Sequence, residues 1–533
     1  MNHYIAKLFI GAWAVWSFAA CSDSFLDSTP TQSTSTSTVF ENTGNMKQAV
    51  NGIAHLMRAR HTAWALGCNG ENRIKTFYNE YASQEFRYNG FAPGWSIIMN
   101  GTQYSNTSTH SGYPWAYYYE LIFNANTIIA HADEAAGDVK EKDFYKAQAL
   151  TFRAYSYAKL LELYSFRWQD TKEGTTSGVV LRLDESKKDL PLSTVAECYA
   201  QIYKDLDDAI GLYSASGIER QADEVWLPDV HVAYAVYARA ALNRQDYKTA
   251  LEMAKKARSG YPLMSNEDYL AGFCRPTSEW IFGSYGDVSE DTGDKGTFGS
   301  QFACNGYYAS NTRVGAGEIE KELTDRLPTG DLRMKLFLTA DKFPGYDLYD
   351  GKNMDFNDGF LQTDELKEKA RAYIDSVTPA GLAKAYQYGD YYRLNSQLKF
   401  WVFASPGVSY LCHIRSSEMV LIEAEANYFL GDEPAARASL EELNTASKRN
   451  PQYTCTASGE SLFQEIVDYR ELELWGEGFN WYDIKRWNRD VVRKSFAEGG
   501  NCHPATATTL PAGGSTWTWS IPEIETDYNG SIK

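Results

Sequence analysis

A segment of 22 residues occurs twice in this chain, 186 positions apart, and that repetition limits the fold more than any other feature. Val236 to Ala257 lies over Ile422 to Leu443, with Ala238 on Ala424, Ala240 on Ala426, Asp246 on Asp432 and Ala250 on Ala436. Ala254 and Ala257 fall on Leu440 and Leu443. Each copy reads as a helix rich in small residues, a short turn whose Asp can cap the next helix, and then that second, amphipathic helix. In the first copy Tyr247, Ala250, Leu251, Ala254 and Ala257 share one face at the 3.6-residue period. Small side chains on facing helices permit close approach, which is the logic of tetratricopeptide-type repeats. A mainly α fold of tetratricopeptide-like helical repeats is predicted.

More helices precede the first copy. Ala147, Leu150, Ala154, Tyr157, Ala158, Leu161 and Tyr164 form one stripe. Val195, Tyr199, Ile202, Leu206, Ala209 and Tyr213 form another, opened by a capping box of Thr194 and Glu197. Met46 to Arg60 and Trp115 to His131 are further helix candidates. Between the two copies, over 265–410, the periodicity gives way to Gly, Tyr, Asp and Asn. Irregular stretches that long in a compact protein are usually functional or disordered, and the density of aromatics here favours a built surface.

The N-terminus carries an address. Lys7 is followed by a 13-residue apolar run, Leu8 to Ala20, broken only by Gly11 and Ser17. That run suits a signal peptide and falls short of the roughly 20 residues needed to span a bilayer. It ends in Phe18-Ala19-Ala20-Cys21, which resembles a bacterial lipobox, with Phe18 where Leu is usual. Residues 1–20 therefore read as a signal peptide, and Cys21 as the lipidated first residue of the mature chain. Residues 21–40, rich in Ser and Thr, read as a tether too polar to fold alone. A net charge of −18 argues against nucleic acid or an anionic membrane surface as main partner. After Cys21 seven cysteines remain, an odd number without CxxC pairs, so at least one stays free or pairs outside the chain and a zinc site is not expected.

Signals for chemistry are absent. Glu473 and Glu477 stand four apart and read as neighbours on one helix face, whereas glycoside hydrolysis needs carboxyls on opposite sides of the scissile bond. With Arg470 and Arg486 close by in sequence, they read as a partly buried ion network that locks the last helix. Gly315-Ala316-Gly317 lacks the Gly-Lys-Ser/Thr of a phosphate loop, and no histidine sits in a nucleophile motif. No catalytic residue, metal or cofactor is predicted. Sugar binding without chemistry asks instead for aromatic faces beside Asn, Asp, Glu or Arg. Two stretches supply both: Asn69 and Glu71 through Trp95 to Tyr104, and Cys304-Asn305-Gly306-Tyr307-Tyr308 through Arg313. Trp95 follows Pro-Gly and is expected on a turn, and Gly306 lets the backbone present the two tyrosines. Tyr391-Tyr392-Arg393 is a third, weaker candidate, and loop packing is the alternative for each aromatic.

The C-terminal run from Tyr469 to Trp487 resembles the hallmark of the SusD/RagB family: Arg470, Glu473, Leu474, Glu477, Gly478, Asp483, Arg486 and Trp487 stand where that pattern wants them. Asn480 departs, since Arg is frequent there. Phe25-Leu26-Asp27…Pro30, Phe152-Arg153-Ala154, Ile414-Arg415-Ser416-Ser417-Glu418 to Asn444, and Ile521-Pro522-Glu523-Ile524…Asn529 resemble further family segments in order. The resemblance implies four tetratricopeptide-like repeats cradling an irregular, loop-rich ligand-binding half. It divides the chain into an N-terminal helical region, 41–260, and a C-terminal region, 261–533, holding the insertion 265–410. It also implies a lipid-anchored protein on the outer-membrane surface that binds oligo- or polysaccharide without cleaving it. Delivery would be to a TonB-dependent transporter of the SusC type. A tetratricopeptide-type protein-interaction adaptor and a secreted glycoside hydrolase are the alternatives.

Overall fold

The computed structural model describes residues 40–61, 64, 69–80, 86–87, 105–289, 299, 302–306, 317–328, 330–356, 359–385, 391–405, 407–513 and 517–532. The signal peptide, Cys21 and the tether up to residue 39 lie outside them, as do Trp95, Tyr104, Tyr307 and Tyr308.

The long helices among the described residues of the first half are α1 (Thr43–Leu56), α2 (Thr109–His131), α3 (Val139–Tyr164), α4 (Val195–Ser216), α5 (Val230–Asn243) and α6 (Tyr247–Ala257). Their starts follow from caps. Asn42, Ser108, Asp138 and Asp229 each accept a backbone N–H of the first turn, and Thr194 and Glu197 form the predicted capping box. α2 packs on α3, α3 on α4, α4 on α5 and α5 on α6, a stack of antiparallel neighbours.

The second copy comes out where the repeat places it. α8 (Ser416–Phe429) and α9 (Glu433–Glu441) start 186 residues after α5 and α6, and Asp246 and Asp432 cap the second helix of each pair. α8 packs on α6, α9 and α10 (Glu460–Glu473), so the repeats join despite the long insertion between them. Alanines on α5 and α8, among them Ala238, Ala240, Ala424 and Ala426, are wholly buried, which lets these helices approach closely. α11 (Asn480–Trp487) follows α10.

The insertion contains regular structure that the periodicity did not show. α7 (Asp364–Val377) is capped by Thr363 and buries Leu366, Ala370 and Ile374, a one-residue-wide stripe four apart in a charged run. These pack with Leu338, Phe343, Leu348, Leu361, Leu394 and Trp401 into a second apolar core, separate from the core of the repeats. Two antiparallel ladders tie the insertion down. β1 (Phe86–Arg87) pairs with β3 (Glu318–Ile319), and β2 (Trp280–Ser284) pairs with β4 (Leu411–Arg415). Among the described residues Cys198, Cys274, Cys304, Cys412 and Cys455 are free and buried, and Cys502 is buried too. No helix among the described residues is long and apolar enough to cross a membrane.

Candidate functional site

The hallmark segment is the floor on which the rest is fastened. Glu473 is fully buried and pairs with Arg333 at 2.9 Å, Arg415 at 2.7 Å and Arg449 at 3.1 Å. Glu477 pairs with Arg415 and Lys399, each at 2.7 Å. Glu279 joins Arg415 at 2.7 Å and Arg449 at 2.9 Å, and Asp331 holds Arg333 at 2.8 Å. Four cations thus face four carboxylates, a neutral buried lattice in which each charge meets an opposite one. Burial pushes the Glu477 carboxyl up, but Arg415 and Lys399 overcome it and hold it at about 2. Glu473 is likewise held well below the usual range by Arg449, Arg415 and Arg333 against burial. Both are ionised near neutrality, and neither can serve as a general acid.

Two expectations are corrected here. Arg470 and Arg486 are not the partners of this pair, because they face Asp483 at 2.6 and 2.8 Å, and Arg486 also pairs with Glu425. Nor do Glu473 and Glu477 share a helix face. α10 ends at Glu473, and Gly476 and Gly478 carry positive φ of 76° and 87°, so the chain turns sharply and Glu477 sits in the turn. A Cβ at Gly476 would lie 2.6 Å from the Phe400 ring, so the turn also needs the close approach that glycine gives.

The same turn holds the roots of both aromatic stretches. Glu80, the last described residue before 81–104 apart from Phe86 and Arg87, receives the backbone N–H groups of Gly478 and Phe479, and Asn480 Nδ2 donates to its Oε2 at 3.0 Å. The departure at Asn480 therefore still makes a fastening bond. Lys399 Nζ donates to the carbonyls of Glu473 and Trp475 at 3.0 and 2.9 Å, which fixes the segment 397–402 over the lattice. That segment holds both ends of the stretch around Tyr307. Cys304 N donates to Phe400 O at 2.9 Å on one side, and Gln397 N to Gly317 O at 3.2 Å on the other.

The β1–β3 ladder then brings the roots of the two stretches together. Arg87 is in register with Glu318, so residue 88 onward and residue 317 backward leave from the same end of one antiparallel pair. The third candidate is fastened to it as well, since Arg393 Nε meets Glu318 Oε1 at 2.8 Å. Three stretches distant in sequence are rooted in one place.

Several residues expected to touch ligand are instead the means of fastening. Glu71 is fully buried and accepts the hydroxyls of Tyr118 and Tyr155 at 2.9 and 2.8 Å. Asn305 is buried and staples its loop, its Oδ1 accepting Val402 N at 2.8 Å and its Nδ2 donating to Val402 O at 3.1 Å. Cys304 lies in the second core, where burial drives its thiol pKa well up. Asn69 is buried in a bridge to Arg60 at the start of a short helix, and the buried Arg393 braces Glu318 and stacks over Phe360. All five are buried. The exposed aromatic beside them is Tyr391, edge-on to Phe360 at 5.5 Å, whereas its neighbour Tyr392 is buried. Phe360, which supports Tyr391, had no sequence signal beyond its place in an aromatic loop.

Comparison with known proteins gives the same family twice. Residues 24–242 match the SusD-like family model described as "Starch-binding associating with outer membrane", and residues 408–529 match that of the SusD family. No curated protein matches the chain. Among solved structures, a SusD-like carbohydrate binding protein from Bacteroides vulgatus ATCC 8482 is similar with TM-score 0.71 and 21% identity, over 92% of this chain and 98% of that one. A SusD superfamily protein from Bacteroides thetaiotaomicron VPI-5482 gives 0.67 and 21%, over 92% and 99%. A laminarin binding SusD-like protein gives 0.61 and 17%, over 93% and 99%. At such identities the structures show a common fold. Together with the two family models and the hallmark turn that roots the insertion, they establish that this chain belongs to the SusD/RagB family.

Proposed function

We propose that this protein binds extracellular oligo- or polysaccharide without cleaving it. In this reading it is held by a lipid on Cys21 at the outer-membrane surface and passes its ligand to a SusC-like TonB-dependent transporter. The observation that carries the reading is the common root of the three aromatic stretches at the β1–β3 ladder. Trp95, Tyr104, Tyr307 and Tyr308 are the binding residues, and Tyr391 joins them. Aromatic side chains from stretches with a shared root suit sugar rings, whose apolar faces stack while the hydroxyls seek polar neighbours. The starch-binding description of the matched family and the laminarin-binding neighbour support a glycan as ligand. Absence of catalysis is supported by the lattice, which leaves the hallmark carboxylates buried and ionised.

The test is affinity electrophoresis of the mature chain through gels holding starch, laminarin, mannan or xylan, with chromatography for products. Retardation in at least one gel is expected, with no oligosaccharide released. Trp95→Ala should weaken binding about fivefold, since one stacked ring contributes roughly 1 kcal/mol. Unchanged retardation in Trp95→Ala, Tyr307→Ala and Tyr308→Ala would place the ligand elsewhere, and released products would favour the hydrolase.

A further inference from the structure

A second concave site lies away from the ladder, among the helical repeats. The end of α4, the turn after it, the start of α5 and the turn after α6 enclose a groove of about 600 Å³. That is the size of a small-ligand site, for which roughly 300–1,000 Å³ is usual. It shares no residue with the ladder region.

Its lining is built rather than incidental. Arg220, with only 5% of its side chain exposed, donates from Nη1 to the carbonyls of Leu227 and Ile281 at 2.8 and 3.1 Å and from Nη2 to the Tyr261 hydroxyl at 2.9 Å. It also pairs with Asp229 Oδ2 at 3.3 Å, while Asp229 Oδ1 accepts Val232 N and caps α5. The Tyr261 ring is therefore held in place by both members of a matched ion pair. His231 stands edge-on to Tyr261 at 5.2 Å and to Tyr234 at 6.4 Å, which gives three rings in a row along the groove. His231 Nδ1 is itself fixed, within 3.3 and 3.2 Å of the Lys256 and Ala257 carbonyls.

The chemistry selects the class of ligand. Arg220 is neutralised by Asp229, and the other carboxylate of the lining, Glu219, stands at the exposed rim, so the buried part of the wall offers no unmatched charge for an anion or cation. The walls are helices and their turns, so there is no strand edge on which an extended peptide could add. Ordered rings beside fixed polar groups match a ligand with alternating apolar faces and hydroxyls. We propose that this groove is a second, independent binding site for a neutral oligosaccharide.

Equilibrium dialysis of the mature chain tests it, using labelled maltohexaose, laminarihexaose, cellohexaose and mannohexaose as probes. Two bound molecules per chain are expected for at least one sugar. Tyr234→Ala removes a lining ring, and Ser259→Trp, at an exposed rim position, fills the groove without touching a buried group. Each should leave one bound molecule, as should the triple variant Trp95→Ala/Tyr307→Ala/Tyr308→Ala. Circular dichroism checks folding, and if Tyr234→Ala is unfolded, Ser259→Trp decides. Wild-type stoichiometry in the groove variants, or a triple variant that binds no sugar, overturns the groove and leaves the ladder reading standing. One molecule on the triple variant, with that binding lost on adding Ser259→Trp, supports the groove whether or not the ladder binds. No binding of any probe by the wild type overturns the groove.

Discussion

Lys399→Met probes whether the buried lattice carries the insertion. The side chain is 1% exposed, and its ammonium sits 2.7 Å from Glu477 Oε1. At that separation and an effective dielectric of about 20, the attraction is about 6 kcal/mol. Met needs no desolvation of a charge, which offsets several kcal/mol of the loss. Trp475 O loses the Lys399 donor, while Glu473 O keeps Arg415 Nη2 at 2.7 Å. Arg415 still faces Glu477, so the net cost belongs at the low end of the ~3–5 kcal/mol found when one partner of a buried pair is removed. The pH dependence has a definite sign. Glu477 is depressed from 4.5 to about 2, so its contribution is fully present above about 4.5 and is lost as pH falls toward 2. That shift corresponds to about 3 kcal/mol. With Lys399 gone the depression shrinks, and acid unfolding moves to higher pH. The assay is urea unfolding followed by tryptophan fluorescence from pH 3 to 8, with Lys204→Met as control. Lys204 meets Asp208 at 2.6 Å in an exposed pair of 65% and 48% exposure, where ~0.5 kcal/mol or less is expected. A Lys399→Met loss no larger than that of the control, or an acid midpoint that does not move, refutes the reasoning.

Asp246→Ala and Asp432→Ala each remove the cap of a matched helix and should each cost about 1 kcal/mol, read as a shift in the urea midpoint. Ile374→Ala should cost ~2–5 kcal/mol locally, and hydrogen exchange should quicken over 338–398 while α3 to α5 stay protected. Asn480→Ala withdraws one charge-assisted bond from Glu80 and should cost roughly 1.5–3 kcal/mol, with weaker glycan retardation because the root of the 81–104 stretch is loosened. Cys198, Cys304 and Cys412, whose thiol pKa values burial pushes up, should take up iodoacetamide only after unfolding, as mass spectrometry can show.

The repeats were legible because their signal is local. A cap, a turn and a face four residues apart lie within one copy, and the 186-residue offset of Asp246 and Asp432 reappears unchanged in the helix starts. The insertion was less so. Leu366, Ala370 and Ile374 give α7 too narrow a stripe to stand out from the charged residues around it, although Thr363 supplies an ordinary cap. Ion partners were legible only as a composition. Arg470 and Arg486 are near Glu473 in sequence, yet its actual partners include Arg449, 24 residues away, and Arg333, 140 away. Nothing in a one-dimensional pattern ranks a distant arginine above a near one, and the glycine turn at 476–478 re-aims the carboxylates away from their neighbours.

The site follows the same division. Aromatics flanked by Asn, Glu and Gly marked stretches whose roots meet at the β1–β3 ladder, but composition could not say which polar residue is buried, and Glu71 and Asn305 turned out to be fasteners. The register of Arg87 with Glu318 spans more than 200 residues and depends on the floor beneath it, so no periodicity could announce it. Mechanically, Glu80 and Lys399 pin the loop roots to one turn whose charges are balanced and buried. If the proposed ligand stacks on Trp95, Tyr307 or Tyr308, the ordered roots of their stretches lower the conformational entropy lost on binding. In the proposed reading the buried carboxylates of the hallmark hold the roots of the stretches whose aromatics would bind the sugar.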